Sequence, residues 1–228
     1  MTKPNIKWNE IDTVILDMDG TLLDLNFDNQ FWLNHVPSCY AIKNGIEHQT
    51  ALDIILPKMK SVRGSLDWYD VHYWSHELEL DILALKQDLI HLIQVRPGVH
   101  DFLKALVAHN KTIWLATNAH HDTIPVKFNR THLRPYFTQV ISSSDLGAPK
   151  EATEFWQRLN RRHPFDLKTS LFIDDNLPIL RTAKEYGIPY LLTVTRPDLS
   201  GAELRQNEFS TVDHFHDITP FVTRHTPT

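Results

Sequence analysis

The sequence predicts an α/β protein built on a doubly wound, mostly parallel sheet, and three observations support this fold class. From residue 99 to residue 194, short apolar segments of β type alternate with helical patterns. Such alternation is typical of right-handed βαβ units, which place helices on both faces of a parallel sheet. A further β-type segment stands far upstream at residues 13–16, and only helical patterns lie between it and residue 95. Polar side chains also follow four of the predicted strands, at the sheet edge where α/β proteins bind ligands.

The composition is that of an ordinary globular protein. The chain has 228 residues, 42% hydrophobic and 22% charged, which suffices for one large domain or for a core with an insert. The net charge of −5 gives no basic footprint, so we expect no nucleic-acid polymer as a partner. The single cysteine, Cys39, excludes an internal disulfide and favours a reducing compartment. No apolar run matches a signal peptide or a membrane helix, so we expect a cytoplasmic protein without membrane contact.

The first predicted strand ends in two aspartates. Residues 13–16 are apolar or β-branched, as in a strand covered on both faces, and Asp17 and Asp19 follow. Gly20 permits a close approach of the backbone to a ligand. Calcium loops of the EF-hand type also contain Asp-x-Asp-Gly, but they need a preceding helix and a later glutamate. Because a β-type segment precedes these aspartates, the calcium-loop interpretation fails.

Residues 25–95 are expected to form a helical insert after the first strand. Apolar residues recur there at steps of three and four, as in amphipathic helices: Leu52, Ile55, Leu56 and Met59, then Leu78, Ile82, Leu85, Leu89 and Leu92. An Arg-Pro-Gly turn at 96–98 ends the insert. We therefore expect a core made of residues 1–24 and 96–228 and a helical domain at 25–95.

The later elements are predicted in alternating order. Helices are expected at 99–108, 122–129, 151–161 and 178–186, and strands at 111–117, 138–142, 169–174 and 190–194. Residues 200–228 are weakly patterned and are expected simply to pack on the core.

Three of the later strands are followed by polar groups suited to phosphate chemistry. Thr117 and Asn118 follow one strand, although a helix N-cap explains either of them alone. Lys150 ends a polar loop before a helix, where a lone lysine is usually a solvated charge. Asp174 and Asp175 stand side by side after a buried strand, and like charges packed in this way are costly unless a cation binds them.

In chain order, these four segments resemble the four motifs of the haloacid dehalogenase superfamily: Asp17-x-Asp19-Gly20-Thr21, Thr117, Lys150 and Asp174-Asp175. The resemblance implies a Rossmann-like core with a type-one helical cap, and phosphoryl transfer to water with Mg²⁺ as the cofactor. It makes Asp17 the nucleophile that forms an aspartyl-phosphate and Asp19 the general acid and base.

The same resemblance assigns the other core residues. It implies that Mg²⁺ is bound by Asp17, by Asp174 and by Asp19 through its backbone carbonyl. It implies that Asp175 acts through water or orients Lys150. The phosphate would be bound by three residues, Thr117, Asn118 and Lys150.

Asp19 and the helical insert indicate which reactions of the superfamily to expect. Dehalogenases lack this aspartate because a halide leaving group needs no proton, so Asp19 favours a phosphatase. Phosphonatases use a cap lysine as a Schiff base, and Lys43, Lys58 and Lys60 leave that option weakened but open. Caps in this position close over the site, exclude water and select the leaving group.

A closer resemblance is to the bacterial GMP/IMP nucleotidases of this superfamily. It rests on residues 17–25, Phe27-Asp28-Asn29, Phe31-Trp32, Lys43-Asn44-Gly45, Leu66, Trp68-Tyr69, Tyr73-Trp74, Thr117-Asn118-Ala119-His120, Pro149-Lys150-Glu151 and residues 171–175, and it thins after about residue 197. It implies hydrolysis of purine 5′-monophosphates to nucleoside and phosphate. The candidates for ribose or base contact are Lys43, Arg63, Trp68, Tyr69 and Tyr73. Packing inside the insert explains the aromatic members equally well.

Other interpretations stay open. The motifs also fit a sugar-phosphate or phosphoglycolate-type phosphatase, a mutase of the same fold, or a binding module without catalysis. His72 and His76 stand four residues apart, as helical zinc ligands do, but no third ligand follows at a matching interval and coincidence is the simpler explanation. His120 follows Thr117 closely enough to border the site. We expect a small-molecule substrate and a monomer or homodimer.

Overall fold

In the computed structural model, which describes residues 4 and 6–220, six strands form one sheet. They are β1 (Thr13–Leu16), β2 (Thr112–Thr117), β3 (Gln139–Ser142), β4 (Ser170–Ile173), β5 (Tyr190–Val194) and β6 (Ser210–Val212). Their order is β3-β2-β1-β4-β5-β6, and every neighbouring pair is parallel. The predicted doubly wound α/β fold is therefore confirmed.

The central strand β1 divides the core into two layers. Ile15 packs in one hydrophobic cluster with its register partners Trp114 and Phe172. Val14 and Leu16 belong to the cluster on the opposite face. All four residues of β1 are buried, because successive side chains point to opposite faces and helices cover both.

Six α-helices lie between β1 and residue 95. They are α1 (Asn26–Gln30), α2 (Val36–Asn44), α3 (His48–Val62), α4 (Leu66–Tyr69), α5 (Val71–Leu78) and α6 (Ile82–Asp88), and a π-helical turn, Phe31–His35, joins the first two. We call residues 25–95 the helical segment. It has its own hydrophobic cluster, which includes Phe31, Ile55 and Trp74.

The two ends of the helical segment are adjacent. Leu23 and Val95 form an isolated antiparallel bridge. Asp24 donates its backbone N–H to the carbonyl of Gln94 at 2.9 Å, next to that bridge. The chain therefore leaves the core and returns to it at one place.

Five helices follow the helical segment: α7 (Val99–Ala108), α8 (Ile124–Thr131), α9 (Ser143–Leu146), α10 (Thr153–Arg162) and α11 (Leu177–Tyr186). The four helices and four strands predicted between residues 99 and 194 are all present, and their bounds differ from the predicted ones by at most two residues. The short helix α9 was not predicted, because its four residues are too few to show a period.

Three details of the structure differ from the prediction or add to it. The expected stripe in α3 includes Leu56, which is 42% exposed, whereas Ala51, Ile55 and Met59 form the buried face. The stripe that starts at Leu78 is interrupted, because Glu79 adopts φ +49° and ends α5 before α6 begins. The C-terminal residues also add the edge strand β6 to the sheet, while the predicted packing of residues 221–228 lies outside the described residues. Among the described helices, none is both long and apolar enough to cross a membrane.

Candidate active site

The carboxyl ends of β1 and β4 lie side by side and place two buried aspartates together. Leu16 and Ile173 are register partners, and Asp17 and Asp174 follow them directly. From β1 the chain runs to β2 and β3 on one side and then to β4 on the other, so these strands flank the reversal point of the sheet. Ligands of doubly wound proteins bind at such a reversal point.

Lys150 lies between the two aspartates. Its Nζ donates to Asp17 Oδ1 at 2.5 Å, to Asp174 Oδ2 at 2.7 Å and to the carbonyl of Ala116 at 3.0 Å. The lysine is 1% exposed, so water screens these charges little. The structure thus brings Lys150 to the ends of both strands.

A third carboxylate leaves the group with excess negative charge. Oxygen atoms of Asp17, Asp174 and Asp175 lie within 4.8 Å of one another. Burial raises the pKa of Asp17 to about 6 against the opposing charge of Lys150. Burial, and then the charges of Asp174 and Asp17, hold the pKa of Asp175 well above its ordinary value. Three hard oxygen donors with one lysine fit Mg²⁺, which is bound in proteins by carboxylates and water.

Gly20 lets Asp175 reach this cluster. The glycine has φ +81°, and a Cβ atom there would lie 2.5 Å from Asp175 Oδ2. A larger residue would therefore displace the carboxylate, which is the physical reason for glycine after Asp19. Asp175 makes no ion pair with Lys150, so the alternative in which it orients that lysine has no support in the geometry.

Asp19 faces a different cation. Lys127 of α8 approaches Asp19 Oδ2 at 2.6 Å and Asp28 Oδ2 of α1 at 3.1 Å. Burial raises the pKa of Asp19 to about 6, although Lys127 opposes the shift. The side chain of Asp19 thus lies outside the group formed by Asp17, Asp174 and Asp175.

Lys86 of α6 completes a second buried charge network that the sequence analysis missed. Its Nζ is 3.5 Å from Asp28 Oδ1 and 4.2 Å from the centre of the Phe31 ring. The sequence carries a weak signal for Lys127, because this lysine shares the buried face of its helix with Ile124 and Phe128. A lysine within an apolar stripe is rarely buried unless it is paired.

Thr117 and Asn118 differ in what they offer a ligand. Thr117 is buried, and its Oγ1 accepts the N–H of Ala119 at 3.0 Å, which leaves its hydroxyl hydrogen for another partner. The side chain of Asn118 accepts the N–H of Lys150 at 2.9 Å and donates to Glu151 Oε2 at 2.8 Å. These two hydrogen bonds hold the loop that carries Lys150 in place.

The strand ends open into a cavity of about 430 Å³ beneath the helical segment. Three of the five candidate specificity residues line it, namely Arg63, Trp68 and Tyr69. Tyr69 also donates its hydroxyl to Glu151 Oε1 at 2.5 Å. Burial, and then the charge of Glu151, raise the pKa of this phenol.

The other two candidates lie outside the cavity lining. Lys43 is on the surface, where its Nζ is 2.9 Å from Glu79 Oε2. Tyr73 packs edge-on against Trp74, with ring centres 5.2 Å apart, in the core of the helical segment. Asp70 separates α4, which carries Trp68 and Tyr69, from α5, which carries Tyr73.

Comparison with known proteins agrees with this geometry. A family model for haloacid dehalogenase-like hydrolases matches residues 11–187. The chain is 38% identical over 216 residues to the GMP/IMP nucleotidase YrfG of Escherichia coli (strain K12), and the match covers 95% of this chain and 97% of that protein. The curated YrfG protein of Shigella flexneri matches with the same identity and coverage.

Solved structures share the fold at lower identity. An HAD phosphatase from Thermococcus onnurineus superposes with a TM-score of 0.77 at 22% identity, over 91% of this chain and 96% of that one. A β-phosphoglucomutase-like protein from Thermotoga maritima gives 0.64 at 17% identity, over 92% and 97%. The family match, the long alignment and the position of the four motifs agree with the predicted resemblance, and the chain belongs to the haloacid dehalogenase-like hydrolases.

Proposed function

We propose that this protein is a Mg²⁺-dependent phosphatase that hydrolyses purine nucleoside 5′-monophosphates, with GMP and IMP as preferred substrates. The observation that carries the proposal is the meeting of Asp17, Lys150 and Asp174 at the floor of a cavity bordered by aromatic side chains. The cavity volume of about 430 Å³ falls within the range of small-molecule sites.

Asp17 is the nucleophile in this proposal. Its carboxylate oxygen attacks the phosphorus atom, and the bond from phosphorus to the ester oxygen breaks as the aspartyl-phosphate forms. Asp19 gives a proton to the departing ester oxygen, which leaves as the nucleoside hydroxyl. Lys150 fixes the orientation of the Asp17 carboxylate through Oδ1.

The second half of the reaction regenerates the enzyme. Asp19, now ionised, takes a proton from a water molecule that attacks the phosphorus atom. The acyl–phosphate linkage breaks, inorganic phosphate is released and Asp17 recovers its carboxylate. Thr117 is in position to donate its hydroxyl hydrogen to a phosphate oxygen. Asp17, Asp174 and Asp175 would hold Mg²⁺, which supplies positive charge that neutralises the carboxylates and the phosphate.

The helical segment is proposed to act as the cap domain at residues 25–95. Its own hydrophobic cluster gives it a core separate from the two layers beside the sheet. Trp68 offers an indole face on which a purine could stack, and Arg63 offers guanidinium hydrogens to its polar edge. The preference for GMP and IMP is inferred from the YrfG relative, to which the alignment covers almost the whole chain.

The proposal is tested by phosphate release from GMP, IMP, AMP, UMP, glucose 6-phosphate and phosphoglycolate, with and without Mg²⁺. We expect Mg²⁺-dependent release that is fastest with GMP and IMP. Faster turnover of the sugar phosphate or of phosphoglycolate would refute the substrate while leaving the aspartate chemistry in place. No release from any substrate would favour a binding module.

Asp17→Asn tests the nucleophile directly. We expect turnover to fall by more than about a thousandfold, because loss of a covalent nucleophile has effects of that size or larger. Asp12→Asn, at the exposed residue just before the same strand, is the matched control and should retain full activity. Equal activity of the two variants would exclude an aspartyl-phosphate on Asp17.

A further inference from the structure

A second group of metal-ligating side chains lies at the edge of the cavity, away from the aspartates. It consists of His72, His120 and Asp122, whose ligand atoms lie within 4.8 Å of one another. His72 belongs to α5 of the helical segment, whereas His120 and Asp122 follow β2 of the sheet. The group therefore spans the boundary between the helical segment and the core. His76, four residues after His72 and exposed, is not part of it.

The distances between these side chains suit a small cation. His72 Nε2 lies 2.7 Å from Asp122 Oδ2, and His120 Nδ1 lies 3.6 Å from the same oxygen. Ligands bound tetrahedrally at about 2.0–2.1 Å stand roughly 3.4 Å apart. The 3.6 Å contact is already near this spacing, and the 2.7 Å contact between His72 and Asp122 would have to open by about 0.7 Å.

The ring of His120 can offer Nδ1 to such an ion. Nδ1 accepts the N–H of Asp122 at 3.3 Å, a long hydrogen bond that coordination through Nδ1 would replace. The other ring nitrogen, Nε2, lies 3.8 Å from Asp70 Oδ1. Metal-binding histidines usually direct their second nitrogen at a carboxylate, and Asp70 lies on that side of the ring. His121 Nε2 lies 3.4 Å from the other oxygen of Asp122, and His121 is not part of the group.

We propose that His72, His120 and Asp122 bind a divalent transition-metal ion of the zinc type and thereby tie the helical segment to the core. Two imidazoles and one carboxylate favour Zn²⁺ and its neighbours over Mg²⁺, which prefers oxygen ligands alone. The site is therefore chemically distinct from the group of Asp17, Asp174 and Asp175.

A bound ion would restrain the opening of the cavity. Without metal, the boundary is crossed here by the hydrogen bond from His72 to Asp122, and both side chains are exposed to water, at 57% and 39%. Such an exposed pair contributes little and exchanges with solvent. Coordination by His72 from the helical segment and by His120 and Asp122 from the core would replace this hydrogen bond with a metal cross-link. The fraction of molecules that carry the cross-link would depend on the zinc concentration. The inference holds for binding whether or not the proposed phosphatase activity is correct.

The test is equilibrium dialysis of the full-length protein against Zn²⁺ with Mg²⁺ in large excess, so that the aspartate site is occupied. His72→Ala should weaken zinc binding by more than about tenfold, since even the partners of metal ligands contribute that much. His76→Ala removes an exposed histidine from the same helix and should leave zinc binding unchanged. Cu²⁺ in place of Zn²⁺ should show nitrogen hyperfine structure in its electron paramagnetic resonance spectrum, and His72→Ala should reduce it.

Two outcomes would overturn the inference. Wild-type protein that takes up no Zn²⁺ under these conditions has no such site. Equal zinc affinity in the wild type and in His72→Ala places the ion elsewhere, and Asp122→Asn would then also bind normally. Because His72 is exposed, its loss is not expected to unfold the protein, and a thermal melt of each variant without metal checks this.

Discussion

At the scale of single residues, Gly20 is the position where a small change has the clearest consequence. Gly20→Ala would set a methyl group 2.5 Å from Asp175 Oδ2 and force that carboxylate away from Asp17 and Asp174. We expect affinity for Mg²⁺ and the rate of phosphate release to fall by about tenfold or more. The measurement is phosphate release as a function of Mg²⁺ concentration.

Gly45→Ala is the control for this substitution. Gly45 also has a positive φ, +65°, but a Cβ atom there would meet nothing within 4 Å. Both variants should lose about 1–2 kcal/mol of stability from the left-handed backbone, and only Gly20→Ala should lose activity. Equal activity of both would mean that the position of Asp175 does not matter.

A site residue could be predicted when it lies close in the sequence to a recognisable strand. Asp17, Asp19, Thr117, Lys150 and Asp174 each follow or precede a recognisable strand, and the parallel sheet brings strand ends together. Lys127 could not be predicted, because its partner Asp28 is 99 residues away and its own helix shows only a lysine in an apolar stripe. Lys43 and Tyr73 lie outside the cavity lining. The packing of the helical segment sets the direction of each side chain, and this packing cannot be predicted from the sequence.

At the scale of elements, the three helices α1, α6 and α8 meet through Asp28, Lys86 and Lys127. Burial alone would raise the pKa of Asp28, but the ammonium groups of Lys127 and Lys86 outweigh burial and lower it below the ordinary 3.8. A carboxyl group whose pKa is lowered on folding stabilises the protein fully above the unfolded-state pKa. That stability is lost as the pH falls through the folded-state pKa.

Asp28→Asn should therefore destabilise the protein in a pH-dependent way. Near pH 7 we expect a loss of about 3–5 kcal/mol, since two buried ammonium groups lose their shared carboxylate. The difference from the wild type should shrink as the pH falls below 3.8, as measured by urea unfolding. Between pH 7 and 5 the difference also contains the titration of Asp19, because the Asp28 charge helps to raise the pKa of Asp19. Asp53→Asn, in the exposed face of α3, should change stability by under about 0.5 kcal/mol. A difference that failed to shrink below pH 3.8 would contradict the assigned direction.

Helices and strands could be predicted where the spacing of apolar residues was regular and the segment was long enough to show it. β1 to β5 are short apolar runs, the four longer helices between residues 99 and 194 show a three-to-four-residue period, and all of these were predicted. β6 has three residues at the sheet edge, with a single fully buried side chain, so its sequence lacks a pattern. Its place is set by pairing with β5.

At the scale of the whole molecule, the excess negative charge of Asp17, Asp174 and Asp175 should couple metal binding to global stability. An ion that binds only the folded state stabilises it by about 2.7 kcal/mol at a hundred times its dissociation constant. We expect Mg²⁺ to raise the melting temperature and chelation to reverse the rise. In Asp174→Asn the rise should be much smaller, because one of the three carboxylates is gone. A wild-type melting temperature independent of Mg²⁺ would contradict a metal site here.

The adjacency of Leu23 and Val95 makes the helical segment an exchangeable module. Both junctions lie at one point, so an insert of another length or sequence could be carried there without altering the register of β1 and β2. The entropic cost of closing a longer insert also rises only slowly with its length. In a lineage, the inserted part could thus diverge while the sheet and its aspartates are inherited unchanged. A buried ion pair limits this freedom. Lys127 takes Asp28 as its second partner from the insert, so a replacement must bring an acid to the same place or leave that lysine to Asp19 alone.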